Sequence, residues 1–228
     1  MKPTNDVNRK ALGGLLSLVV TLAALLFLPA WTLDYWQAWM FLLVFSVSVL
    51  LITVYLMSRD PGLLERRIQA GPGAEREALQ KIIQFLASVV FVAMFVVSAL
   101  DHRFRWSTVP VYVVMAGDSL VALGLLGVFF VFRENTFTSA TIEVDTAQVV
   151  ISTGPYAFVR HPMYIEALIM LAGVPLALGS WWGLLTLIPM TLVIVWRLLD
   201  EERFLAQNLS GYQEYTQRVR YRLLPFIW

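Results

Sequence analysis

Residues 163–199, MYIEALIMLAGVPLALGSWWGLLTLIPMTLVIVWRLL, decide the fold. Two apolar runs, 163–180 and 181–199, meet at LGSWWG. Gly179, Ser180 and Gly183 permit a tight turn there, and Trp181 and Trp182 suit the headgroup level of a bilayer. The runs lack the apolar–polar alternation of a barrel strand. In hydrocarbon, only helices and closed barrels satisfy the backbone. The stretch therefore predicts a helical hairpin. Toward the N-terminus, further apolar runs occupy 11–30, 36–58, 80–100 and 109–132. A crossing helix needs roughly 20 residues to span about 30 Å of hydrocarbon, which these four runs supply. The expected fold is all-α. It is a polytopic membrane bundle of six transmembrane helices that ends in the hairpin and a cytoplasmic amphipathic helix.

Composition agrees. Of 228 residues, 58% are hydrophobic and 14% charged, and mean hydropathy is +0.69. A soluble domain carries about 25% charged residues, so this chain is short of solvated surface and the lipid bilayer is its expected partner. Cysteine is absent, which removes disulfides, thiolate nucleophiles and most zinc sites. The two histidines, His102 and His161, are far apart in sequence, so no metal is expected. Neither is a nucleic-acid partner. One domain, 1–228, is expected, with N-terminal helices in 1–129 and the catalytic core in 130–228.

Lysine and arginine report orientation. With six spans, 15 of the 17 basic residues fall on the side that holds both termini, and only Arg103 and Arg105 on the other. By the positive-inside rule both termini are expected in the cytoplasm, in an inner, plasma or equivalent membrane. Lys2, Arg9 and Lys10 precede the first run, as in a signal peptide. LPAWTLDYW is a poor cleavage site, so an uncleaved first span is expected.

The loops on the far side are short, and polar chemistry collects on the cytoplasmic side. Residues 59–79, RDPGLLERRIQAGPGAEREAL, read as a short amphipathic piece followed by a turn, a basic linker on an anionic leaflet. Segments 133–162 and 197–228 flank the hairpin and meet at its open end. Gly154-Pro155 marks a turn, and Pro162 suits the first position of a helix. His161 then sits at a helix N-terminus, where free N–H groups and the helix dipole favour an anion, and Arg160 adds positive charge. Alternatively, Arg160 snorkels to headgroups and His161 merely caps. Arg197 and Glu201, spaced i and i+4, share one helix face, which also permits a simple ion pair. Across the hairpin, Glu201 and Glu202 emerge beside Arg160 and His161. Cations facing carboxylates under an apolar roof suit a zwitterionic ligand with a lipophilic co-substrate. S-adenosyl-L-methionine is one such ligand. A phospholipid-binding or structural protein also fits.

GPYAFVRHPMY (154–164), WRLLDEERFLAQNLSGYQEYTQRV (196–219) and LLPFIW (223–228) together resemble the isoprenylcysteine carboxyl methyltransferase family and its phospholipid methyltransferase relatives. The resemblance covers about 130–228. It implies a membrane methyltransferase that binds S-adenosylmethionine at its cytoplasmic face. On this resemblance Gln148, Val149, Val150, Ile151, Tyr156, His161, Pro162, Met163, Tyr164 and Glu201 are cofactor contacts. Arg197 lies on the substrate side, and Arg160 joins it as a catalytic candidate. The chain departs from the family at Glu166, where many members have glycine. Glu166 and Glu202 are candidate substrate contacts or bases. Asp118 is a second intramembrane acid, which either lines a cavity or bonds Ser119 or a neighbouring helix. The expected reaction is carboxyl O-methylation of a lipophilic acceptor. An ionised carboxylate, with a reference pKa near 4, needs no base; an amine must lose a proton. Phospholipid N-methylation, non-catalytic lipid binding and a related membrane reductase using a nicotinamide cofactor are the alternatives. No Gly-x-Gly-x-Gly loop is present to support a soluble methyltransferase fold.

Overall fold

The computed structural model describes residues 3–68, 73–75, 77–142 and 148–228. Eight α-helices occur among them: α1 (Pro3–Ala30), α2 (Trp36–Arg59), α3 (Pro61–Ile68), α4 (Ala78–Phe104), α5 (Val111–Glu134), α6 (Pro162–Ala177), α7 (Leu187–Asn208) and α8 (Tyr212–Arg218). Five helical segments are long and apolar enough to cross a membrane: Asn5–Ala30, Trp36–Arg59, Ala78–Phe104, Val111–Glu134 and Trp182–Asn208. The sixth expected span, α6, has 16 residues. At 1.5 Å per residue it covers about 24 Å, short of a full hydrocarbon crossing. Pro162 begins α6 and His161 is its N-cap, as the sequence predicts.

Large side chains such as Leu16, Leu43, Leu51, Ile188 and Leu192 stay exposed on the helix exteriors. That is the outer face of a bundle whose solvent is lipid. Inside, Leu22, Leu26, Phe41, Met94, Phe95 and Leu178 form the central core. One end is tied by a polar knot. The buried Asp101 carboxylate accepts from the Ser107 N–H at 2.7 Å, the Ser107 hydroxyl at 2.6 Å and the Ser180 hydroxyl at 2.5 Å. Ser180 in turn accepts from the Gly183 N–H at 2.8 Å. The hairpin turn is thereby pinned to α4, with Gly179 at φ +70° and Trp181 and Trp182 partly exposed.

The hairpin is splayed. Helix α6 packs along α5 far more than along α7, its partner through the turn. Glycine explains the choice: a Cβ on Gly117 would lie 2.2 Å from the Ala177 nitrogen, and one on Gly173 would lie 2.6 Å from the Gly117 carbonyl. Only a glycine seam lets the backbones approach so closely. With α6 drawn onto α5, a gap opens between α6 and α7, and this gap becomes the site.

Opposite the Asp101 knot, Val7 and Ala11 of α1, Leu63 and Leu64 of α3, Phe132 of α5 and Met163 of α6 pack together. The beginning of α1 therefore lies at the same end of the bundle as the start of α6.

Candidate functional site

A cavity of about 590 Å³ opens at that end. Its volume falls in the range of small-molecule sites, roughly 300–1,000 Å³. Helices α4, α6 and α7 supply polar or small residues near the mouth and apolar ones deeper in, and α1, α2 and α5 add apolar ones. Helix α7 runs from Leu205, Glu201 and Arg197 down to Ile194, and α6 from Met163 and Tyr164 to Ala167 and Met170. Helix α4 adds Gln84, Ala87 and Phe91, and α5 adds Val128 and Leu125. Phe45 of α2 and Leu18 of α1 also line it. From Glu201 to Ile194 the helix descends about 10 Å. The space is thus a polar mouth joined to an apolar shaft.

Of the ten residues expected at a cofactor, nine line this cavity: Gln148, Val149, Val150, Ile151, Tyr156, His161, Met163, Tyr164 and Glu201. Pro162 is buried and does not line it. Arg160 and Arg197 line it too. Tyr164 donates its hydroxyl to Glu201 Oε2 at 2.6 Å, across the open end of the hairpin. Glu201 Oε1 bonds none of the described residues, which leaves acceptor capacity at the mouth.

Glu202 is absent from the cavity lining. It gathers two arginines and a histidine: Arg160 Nε lies 2.7 Å from Oε1, His161 Nε2 lies 3.2 Å from Oε1, and Arg222 Nε lies 2.8 Å from Oε2. The Arg160 and His161 side chains are nearly buried. The backbone completes the join, since the N–H groups of Arg160 and His161 donate to the carbonyls of Tyr221 and Arg222 at 2.9 and 3.0 Å. One carboxylate thus holds the motif before α6 and the C-terminal tail together.

Arg197 makes no ion pair with Glu201. Its Nη2 donates to Glu75 at 2.8 Å and to the Ala140 carbonyl at 3.0 Å; its Nη1 donates to Gln84 at 3.0 Å and Gln80 at 3.2 Å. A direct hold on an acceptor carboxylate, as the resemblance implies, meets an obstacle: both terminal nitrogens are already occupied. Arg197 instead clamps α4 and segment 136–142 to α7.

Glu166 is also absent from the cavity lining. It lies against Gly127 of α5, where an added Cβ would lie 2.0 Å from its Oε2. The missing side chain of Gly127 makes the space that the larger Glu166 fills. Asp118 is buried, and neither carboxylate oxygen has a partner among the described residues. Ser119 does not serve it, since its hydroxyl donates to the Met115 carbonyl at 2.8 Å.

The linker 59–79 departs furthest from expectation. Residues 69–72 and 76 lie outside the described set; of the rest, Leu63, Leu64 and Glu75 are buried and Arg67 reaches the cavity, while Arg59, Glu65, Ile68 and Glu77 stay exposed. Arg66 donates to the Thr136 carbonyl. Arg67 lines the cavity, donates Nη1 to the Ser139 carbonyl at 2.7 Å, and lies 5.1 Å from the Phe132 ring centroid. Burial pulls its guanidinium below the usual arginine range. The Glu75 side chain is 1% exposed.

Helix α8 closes the mouth with two tyrosines. Tyr215 donates to the Tyr156 carbonyl at 2.8 Å and so fixes the turn Gly154–Ala157. The Tyr156 hydroxyl accepts from Asn135 at 3.1 Å, and burial pushes its pKa up to about 12. The Tyr212 hydroxyl is buried in the cavity wall without a partner among the described residues. An orphaned buried hydroxyl is costly unless something else satisfies it. Among the described residues, no three His, Cys, Asp or Glu side chains cluster as metal ligands.

A family model described as phospholipid methyltransferase matches residues 112–211. The match begins in α5 and ends just before α8, so it covers the motif, the splayed hairpin and Glu201, and it leaves out α1 to α4. The chain is also similar to a Delta(14)-sterol reductase from Mus musculus, 33% identical over 95 residues. That similarity covers 39% of this chain and 22% of the reductase. The family match thus spans under half of the chain, and the chain spans about a fifth of the length of the reductase.

Sequence reasoning missed Arg67, Glu75, Gln80, Gln84 and Tyr212. A partial signal existed for the glutamines: they stand one helical turn apart at the head of an apolar run, a polar edge without a stated partner.

Proposed function

We propose that the protein transfers a methyl group from S-adenosylmethionine to a lipophilic acceptor at the cytoplasmic membrane face, with both termini on that side. The single observation that carries this reading is the continuous cavity from a polar mouth to an apolar shaft. A lipid-modifying site needs both halves in contact.

The mouth fits the cofactor. Glu201, with Oε1 unspent, suits ribose hydroxyls or the ammonium group. Arg160, His161 and the start of α6 suit the cofactor carboxylate. They form a cationic group that Glu202 only partly neutralises, since it serves Arg222 as well. The orphaned Tyr212 hydroxyl gains a partner. Val149, Val150, Ile151 and Leu205 offer aliphatic walls for adenine. S-adenosylmethionine supplies a methyl group already activated on sulfonium, which becomes a neutral thioether when the methyl passes to an acceptor oxygen. The remaining task for the protein is positioning. The shaft takes the acceptor's hydrocarbon and aims its polar end at the mouth. Arg197 acts as a positioning residue that keeps α4 and α7 in register.

Carboxyl O-methylation, as in isoprenylcysteine carboxyl methyltransferases, is the reading preferred over phospholipid N-methylation. Neither candidate base, Glu166 or Glu202, lines the cavity, and Glu201, which does, is assigned to the cofactor. A second reading follows from the similarity to the sterol reductase: reduction of a flat, apolar ring system with a nicotinamide donor.

Binding to the purified full chain in detergent separates these readings. S-adenosylmethionine is expected to bind and NADPH not to. The reverse result replaces methyl transfer with reduction, and binding of neither leaves a lipid-binding protein. With radiolabelled donor and membrane extract, base-labile label indicates a methyl ester and base-stable label an N-methyl lipid.

A further inference from the structure

We infer that Arg67 is the specificity residue of the site: it holds a compact anionic group, carboxylate or phosphate, at the head of the lipophilic acceptor. The inference rests on the methyl-transfer reading and assigns a role to a residue outside the region matched to the phospholipid methyltransferases.

Three arginines line the cavity, Arg67, Arg160 and Arg197. Arg160 and Arg222 share Glu202, and Arg197 has Glu75. Arg67 differs. Among the described residues it has no carboxylate within ion-pair distance, and its contacts are all uncharged: the Ser139 carbonyl at 2.7 Å, the Met163 sulfur at 3.9 Å and the Phe132 ring. Its Nε and Nη2 bond no described residue and remain accessible, in a side chain that lines the cavity. A cation in a largely apolar enclosure is strongly unfavourable without a counter-charge. Burial already pulls its pKa down, which agrees with that cost. The arginine fork left open matches a carboxylate or phosphate in size and geometry.

Position supports the same occupant. Arg67 enters from α3, on the side of Phe132 and Met163, whereas the groups suited to the cofactor carboxylate sit around Arg160 and α8. It lines the same cavity as Arg197, Tyr164 and Tyr156, which places it where the polar mouth joins the shaft. An amphiphile with its tail in the shaft would bring its head to this junction.

The test compares acids with neutral isosteres on the full chain in maltoside micelles. The first pair is N-acetyl-S-farnesylcysteine and its carboxamide; the second is dodecyl phosphate and dodecanol. The unsubstituted protein should bind at least one acid roughly tenfold or more tightly than its neutral partner, the value of a charge-assisted hydrogen bond. Preference within the first pair indicates a lipidated carboxylate, and within the second a phosphate lipid. Arg67→Gln should abolish the preference and leave S-adenosylmethionine binding unchanged. Arg67→Lys, which keeps the charge but not the fork, should retain part of it and serves if the glutamine variant fails to fold. An acid preference that survives Arg67→Gln, or an equal loss of cofactor affinity, overturns the role. Absence of S-adenosylmethionine binding in the unsubstituted protein would instead sink the methyl-donor reading, while the acid preference still decides Arg67.

Discussion

Arg197 Nη2 lies 2.8 Å from Glu75 Oε1, and these residues stand 122 positions apart in the chain. The Glu75 side chain is 1% exposed and that of Arg197 13%. Around them Gln80, Gln84 and the Ala140 carbonyl use the remaining terminal hydrogens of the guanidinium. Such a pair adds little net stability over an apolar replacement, yet it is strongly destabilising to break. Its effect is to fix where α4, α7 and segment 136–142 meet.

Arg197→Met should therefore cost about 3–5 kcal/mol, because Glu75 is left charged and buried. The double variant Arg197→Met, Glu75→Gln should recover much of that loss in thermal melts of detergent-solubilised protein. If the double variant is as unstable as the sum of the singles, the pair is not the clamp.

Glu202→Gln removes the charge shared by Arg160, His161 and Arg222. The tail at 221–222 should loosen from the residues before α6. Limited trypsin digestion reads this directly: cleavage at Arg220 and Arg222 should accelerate, and S-adenosylmethionine affinity should fall with it. Unchanged cleavage would mean that the backbone bonds at Arg160 and His161 suffice alone.

Gly117→Ala places a methyl 2.2 Å from the Ala177 backbone nitrogen, a contact that no rotamer relieves. Helices α5 and α6 must separate, at a cost of about 1–3 kcal/mol or more. Gly13→Ala on α1, with nothing within 4 Å of the new Cβ, is the matched control and should leave the melting temperature unchanged or slightly raised.

Leu125→Trp fills the apolar shaft below the mouth. On the methyl-transfer reading, KM should rise for long-chain acceptors more than for short ones, with S-adenosylmethionine affinity unaltered. Equal KM changes across chain lengths would place the tail elsewhere.

The membrane helices were legible because apolar runs of about 20 residues have few other stable states. The ten residues expected at a cofactor cluster in two short segments that the hairpin joins, and nine of them line one cavity. Arg197 shows the limit. Its i and i+4 relation to Glu201 suggested a local ion pair, but in the folded chain it turns to Glu75 and to two glutamines of α4. Glu166 read as a candidate substrate contact or base, and spacing gave no sign that it sits in the notch left by Gly127.

By itself, then, the sequence determined that the chain is a helical membrane bundle, where its turns fall, and which short segments carry its polar chemistry. These follow from local properties: hydropathy, helix length, and the backbone limits of glycine and proline. Only the tertiary structure decided that α6 leaves its hairpin partner for α5, that a cavity opens in the resulting gap, and that Arg67 and Glu75 reach it from a segment read as a linker. Those outcomes depend on close packing and on charge pairing between residues far apart in the chain, for which sequence spacing carries no signal.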